Sequence, residues 1–275
     1  MNEEQVLEAS PLGSDTQYVN TYDPSLLFPI NRDLNWQKRG IERAELPFQG
    51  TDIWNAYEIS WLNSKGKPVA RLAEFRLPAD SANIVESKSF KLYLNSFNLS
   101  RFDSDEEVQK LMATDLSAAA GGEVEVILYK PDQAPAIEIF KAECIDDLDV
   151  EIDVYQPDAE LLTANDTAIV EESLCSHLLK SNCPVTGQPD WASIEIRYRG
   201  AKLDREGLLK YLISYREHGD FHEQCVENIF MDIWQRCQPE TLTVYARYVR
   251  RGGLDINPWR SSEAGRPENL RLSRQ

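Results

Sequence analysis

The sequence predicts an α+β protein assembled from two related halves. Three observations lead there. The order strand, strand, helix, helix, strand, strand occurs twice along the chain. The strand segments alternate apolar and polar residues with period two. The helical segments repeat apolar residues at helical intervals. In the first half, WNAYEISW (54–61) is followed by VESKSFKLYLNSFN (85–98). In the second, WASIEIRY (191–198) is followed by LDREGLLKYLISYR (203–216). Phe90 matches Leu208, Tyr93 matches Tyr211, Leu94 matches Leu212, Ser96 matches Ser214 and Phe97 matches Tyr215. Each half then carries a second helical stretch, at 106–116 and 223–234, and a closing strand, VEVILY (124–129) and LTVYARYV (242–249). A tandem duplication divided at 157/158 is expected, with QPDAELLTANDT (156–167) as the connection.

In IEIRY, Ile194, Ile196 and Tyr198 oppose Glu195 and Arg197 in parity. In LDVEIDVY (148–155), Leu148, Val150, Ile152 and Val154 face one way and Asp149, Glu151 and Asp153 the other, which predicts a strand with one solvated face. Leu208, Leu209, Leu212 and Tyr215 form one helical stripe; Cys225, Ile229, Ile233 and Trp234 form another, making Cys225 a core residue. Gly219 and Asp220 separate these helices and leave Phe221, His222 and Glu223 at the start of the second. Free backbone N–H groups and the positive dipole end make that a suitable place for a ligand-binding carboxylate and imidazole.

The composition narrows the function. With 275 residues and 42% hydrophobic content the chain can build a substantial core. A formal net charge of −17 argues against direct nucleic-acid binding, which needs a basic surface. No apolar run suggests a membrane span, and the polar start MNEEQ lacks a signal-peptide core. A cytoplasmic protein with five reduced cysteines is therefore expected.

The chemistry concentrates in CPVTGQPDW (183–191). It carries a thiol, Cys183, and a carboxylic acid, Asp190, with Pro184, Gly187 and Pro189 expected to keep the span out of helix and sheet. A thiolate can attack an electrophilic carbon, and the adduct then needs a proton donor close by.

Three motifs occur in one chain: ESKSFKLYL (86–94), CPVTGQPD (183–190) and HGDFHEQC (218–225). In this order they resemble the NADPH-dependent 7-cyano-7-deazaguanine reductases, nitrile reductases of queuosine biosynthesis and hence of tRNA modification. The likeness extends through YDPSLLFPI (22–30), SWLNSKGKP (60–68) and RRGGLDINPWRS (250–261). It fits the long, two-module form of the family. Asn31 stands where a proline would continue FPIP.

The resemblance implies the tunnelling fold: antiparallel sheets with helices packed on one face, here as tandem modules, the first carrying the ESKS motif and the second the cysteine and the FHE motif. It implies that Cys183 adds to the nitrile to give a covalent thioimide, that Asp190 is the general acid, and that Val85, Glu86, Ser87, His222 and Glu223 bind the deazapurine. It implies that Ser87, Lys88, Arg251 and Gly252 contact NADPH, consumed twice per cycle, with no metal. A homodimer is expected because tunnelling-fold barrels close by association.

Chemistry is compatible with this reading. A thiolate suits a nitrile carbon, and a carboxylate can accept paired hydrogen bonds from a deazaguanine edge. Lys88 and Arg251 supply charge for phosphates. No G-x-G-x-x-G is present, so the residues alone leave the cofactor unassigned. Two rivals stand beside it. One is a zinc-dependent hydrolase resembling GTP cyclohydrolase, with Cys175, His177 and Cys183 as ligands. The other is a non-catalytic purine or pterin binder.

Overall fold

The computed structural model describes Gln5, Ala9, Ser10 and residues 18–275. The chain divides into two compact units. The first runs through Leu46 and takes in Thr51–Ala136 and Arg250–Asp255. The second comprises Pro47–Gly50, Ile137–Val249 and Ile256–Gln275. Residues 137–157 thus fold with the second unit, not the first.

The first unit keeps the expected core of two long strands, two helices and a closing strand, with a short strand and helix before it, a further short strand ahead of the two helices, and one closing strand of its own rather than two among the described residues. Its elements are β1 (Pro29–Asn31), α1 (Asp33–Lys38), β2 (Gln49–Leu62), β3 (Pro68–Pro78), β4 (Asn83–Val85), α2 (Ser87–Ser96), α3 (Asp105–Ala120) and β5 (Glu125–Tyr129). Strands β2, β3 and β5 form an antiparallel array, with Trp54 opposite Phe75 and Phe75 opposite Val126. The β2–β3 register shifts between Ala56 and Ile59, and the Tyr57 N–H instead donates to the Gly253 carbonyl at 2.9 Å. The apolar face of α2 closes this core: the Phe90 ring lies 5.0 Å from both Trp54 and Phe75, and Phe90, Tyr93 and Phe97 are fully buried. Truncating such an aromatic to alanine costs about 3–5 kcal/mol. Helix α3 begins where Ser104 Oγ accepts from the Glu107 N–H at 3.1 Å, with three acids in its first turn facing the positive dipole end. It stops at Gly121, whose φ of +65° is left-handed.

The second unit contains β6 (Ile137–Glu138), β7 (Glu143–Cys144), β8 (Ala164–Ser176), β9 (Lys180–Asn182), β10 (Pro189–Leu203), α4 (Arg205–Ser214), α5 (His222–Cys237), β11 (Thr241–Tyr248), β12 (Leu254–Ser261) and β13 (Arg271–Leu272), with the first two residues of β12 belonging to the first unit. Strand β10 is its spine, pairing antiparallel with β11, β8 and, at its start, β9. Strand β7 adds to β8 in parallel. The stripes predicted for the helices are the buried ones: Leu208, Leu209, Leu212 and Tyr215 on one side, Cys225, Ile229 and Ile233 on the other. Trp234 is only half-buried. The architecture is mixed α+β with mainly antiparallel sheet, as expected. Among the described residues no helix is long and apolar enough to cross a membrane.

Two expectations need correction. Residues 148–155 are not a strand, although their alternation is real: Leu148, Val150, Ile152 and Val154 are half-buried and the acids between them exposed. One-sided packing produces period two in any extended segment; a strand also needs a ladder partner, and these residues have none among those described. The stretch 156–167 is not purely a connection either, since it holds a 3-10 turn at Ala159–Leu161 and the start of β8.

Candidate active site

In the second unit, Cys183 heads the turn between β9 and β10. Its N–H donates to the Gln188 carbonyl at 2.9 Å, and its carbonyl accepts from the Gly187 N–H at 3.0 Å. Gly187 sits at φ +67°, where a side chain is strained. The turn is shorter than the sequence implies. Pro189 and Asp190 already belong to β10, opposite Asn182 and Ser181. Proline is tolerated there because it is the first residue of the strand. Asp190 is therefore held on a strand, not on a mobile loop.

The turn meets the approach to α5. The Asn182 N–H donates to the His218 carbonyl at 2.8 Å, and a Cβ placed on Gly219 would lie 3.6 Å from Pro184 Cα. His218 Nε2 pairs with Asp220 at 2.6 Å, and Asn228 Nδ2 donates to the same carboxylate at 3.1 Å. This braces the start of α5, where the Gln224 side chain accepts from the Phe221 N–H.

His222 is the first residue of α5, and its Nε2 lies 3.3 Å from Asp190 Oδ2. The imidazole stacks flat on Tyr248, with ring centres 3.7 Å apart and planes 2° from parallel. Its Nδ1 is buried and, among the described residues, finds no hydrogen-bond partner. An unsatisfied buried nitrogen is costly, and a bound ligand can satisfy it. Burial pushes the Tyr248 hydroxyl well up, reinforced by Cys225 and Asp190, so it stays protonated. Burial also pushes the Cys225 thiol well up, helped by Asp220, which makes it a poor nucleophile. Cys183 and Asp190 are themselves buried, and Glu223, in the first turn of α5, is 3% exposed.

The first unit carries the remaining expected residues. Glu86 caps α2 and is fully buried. Its Oε1 accepts from the Lys88 N–H at 2.6 Å and its Oε2 from the Ser89 N–H at 2.8 Å. Burial raises this carboxyl above its ordinary value, opposed by the two backbone donors, Lys91 and Ser87. Each oxygen still has a lone pair for a ligand. Val85 ends β4, buried opposite Pro29, and Ser87 begins α2. Arg251 opens a tight turn, donating its N–H to the Leu254 carbonyl at 2.8 Å, with Gly252 and Gly253 both at positive φ.

A cleft of about 480 Å³ opens beside that turn, lined by Tyr57, Glu58, Lys91, Asn95, Gly252 and Gly253 among others. Its size suits a cofactor portion. A Cβ on Gly253 would sit 2.6 Å from Glu58 Cδ, so the glycines let the backbone line the cleft closely. Of the residues expected to contact NADPH, Gly252 lines this cleft, whereas Ser87, Lys88 and Arg251 do not. Lys91, Asn95 and Asn98 do line it and were not anticipated. The i, i+4 spacing of Lys91 and Asn95 on α2, with Asn98 just past its end, was the available signal.

The rival zinc set is also regrouped. Cys175 and His177 gather with Cys144; Cys183 is not part of that cluster.

The family comparisons agree with the motifs. A profile described as "Nitrile reductase, 7-cyano-7-deazaguanine-reductase N-term" matches residues 18–128, and one described as "QueF-like protein" matches residues 189–267. A protein of Chromobacterium violaceum named NADPH-dependent 7-cyano-7-deazaguanine reductase is 56% identical over 271 residues, 98% of this chain and 97% of its own. The chain belongs to this reductase family. Proteins of the same name from Bordetella avium and an Azoarcus species are 57% and 59% identical, over 98% and 93% of this chain and 99% and 92% of theirs. Cys183 falls between the two profile matches but within the span these full-length relatives cover.

Proposed function

We propose that this protein reduces the nitrile of 7-cyano-7-deazaguanine to the aminomethyl group through a thioimide on Cys183. The observation that carries the site assignment is the Asp190–His222 contact at 3.3 Å, braced against the turn that bears Cys183. In this reading Cys183 attacks as thiolate: its sulfur bonds to the nitrile carbon, one C–N π pair moves to nitrogen, and Asp190 gives its proton to that nitrogen. His222 Nε2 holds the Asp190 carboxyl in position, and its unpartnered Nδ1 faces the substrate. Glu223 accepts hydrogen bonds from the deazaguanine edge; in the first unit Glu86, with Val85 and Ser87 beside it, is a second carboxylate suited to the same recognition. Burial of Cys183 and Asp190 keeps water from the adduct.

NADPH, when bound, supplies hydride, and the four electrons between nitrile and amine require two equivalents. Lys91, Gly252 and Gly253 suit its binding through charge and close backbone approach, with Lys88 and Arg251 adding charge nearby in sequence. A homodimer in the cytoplasm, with no nucleic-acid partner, completes the proposal. NADPH oxidation that depends on 7-cyano-7-deazaguanine, with two NADPH consumed per amine formed, is the test. A ratio of one, or release of free imine or aldehyde as the main product, would refute it.

A further inference from the structure

A second group of reactive side chains lies in the second unit, away from the residues assigned to nitrile reduction. Strands β7 and β8 run parallel with Cys144 directly beside Cys175. His177 follows Cys175 by two residues, just past the end of β8. Each of the three offers one ligand atom, and these atoms lie within 4.8 Å of one another. Both thiols are free.

The surroundings orient the imidazole. His177 Nδ1 lies 2.8 Å from Ser193 Oγ, which also accepts from Arg274 Nη2 at 3.0 Å. A hydroxyl oxygen has two lone pairs, so it can accept from Nδ1–H as well. That tautomer leaves the Nε2 lone pair available, the arrangement typical of metal-bound histidine. Asp146 holds the end of β8, accepting from Ser176 Oγ at 2.6 Å and the His177 N–H at 2.9 Å. Across the sheet, Glu195 stands opposite Cys175. Asp146 and Glu195 favour a cation; Arg274 opposes one.

We propose that Cys144, Cys175 and His177 form a binding site for a zinc-class divalent cation, with water as the fourth ligand. Tetrahedral zinc, with Zn–S of about 2.3 Å and Zn–N of about 2.0 Å, places its ligands about 3.5–3.8 Å apart. The observed spacing closes by at most about 1.0–1.3 Å through rotation of the exposed Cys144 and His177 side chains. A thiol binds a metal as thiolate, so two S–H bonds give up their protons to solvent as two S–metal bonds form. The ion would clasp the two-residue strand β7 to the sheet. A Cys144–Cys175 disulfide is the competing use of the same residues.

Cobalt(II) titration of the reduced full-length Cys183→Ala protein tests the proposal, because that background removes the other candidate thiol. One equivalent should give thiolate-to-cobalt absorption and tetrahedral d–d bands, both bleached by zinc. Adding Cys144→Ser or Cys175→Ser should abolish these bands, and Ser193→Ala should weaken binding about 10–100-fold. Cys144 is exposed, so its variant keeps the test open if the Cys175 variant fails to fold. No thiolate bands in the parent, unchanged bands in the Cys144 variant, or a disulfide that persists under reducing conditions would each overturn the site.

Discussion

Asp190→Asn separates proton donation from recognition. Asparagine has the same shape, so it opens no cavity on β10, and its amide can still meet His222 Nε2 across the 3.3 Å gap. With the polar contact to His222 changed in character rather than lost, the folding cost should stay within about 1 kcal/mol. For a chain of this size that is a shift of about 2–4 °C in Tm. What asparagine cannot do is give up a proton to the nitrile nitrogen. General acid catalysis contributes about 10²–10⁴-fold, equivalent to about 3–5 kcal/mol of barrier. The rate effect should therefore exceed the stability effect severalfold. Turnover is read from NADPH absorbance, substrate affinity from calorimetry and stability from thermal melting. Normal turnover of bound substrate together with weakened binding would make Asp190 a recognition residue and refute the proton-transfer role.

Cys183→Ala should abolish both the covalent adduct and turnover, while Cys225→Ala should keep both, because the Cys225 thiol is fully buried and pushed well up; mass spectrometry of protein mixed with substrate locates the adduct, and one on another cysteine would contradict this. Glu223→Ala should lose mainly binding, by about 10–100-fold, because paired charge-assisted hydrogen bonds to the base edge disappear. Calorimetry showing unchanged affinity would remove Glu223 from the substrate site. Glu86 also carries a pH signature. Its folded-state pKa is raised above the ordinary 4.5, so its contribution to stability is present at acid pH and lost as pH rises through the folded value. The Tm advantage of wild type over Glu86→Gln should thus shrink from about pH 4.5 upward, and a constant or growing difference would reverse the assignment.

Most of the fold was legible locally. The helices at Ser87–Ser96, Asp105–Ala120, Arg205–Ser214 and His222–Cys237 lie where apolar spacing put them, because a helix declares its buried face every three to four residues. The duplicated order was legible for the same reason. Residues 148–155 misled because alternation reports one-sided burial and says nothing of a ladder partner. The site was legible as motifs but not as geometry. Asp190 looked like a turn residue until its pairing with Ser181 placed it on β10. Tyr248 gave no local hint of its stack beneath His222, since the two meet only across the fold.

By itself, then, the sequence determined most element types, the two-part organisation and the family, and it supplied the candidate reactive side chains. The element types depend on spacing within a short stretch, and the family on the resemblance of short motifs. Tertiary structure alone decided which side chains meet. It aimed His222 at Asp190, used Glu86 to cap α2, placed Lys91 in the cleft beside Gly252, and brought Cys144 rather than Cys183 to Cys175 and His177. Those outcomes rest on strand register and on packing between segments far apart in the chain, and neither leaves a trace in local periodicity.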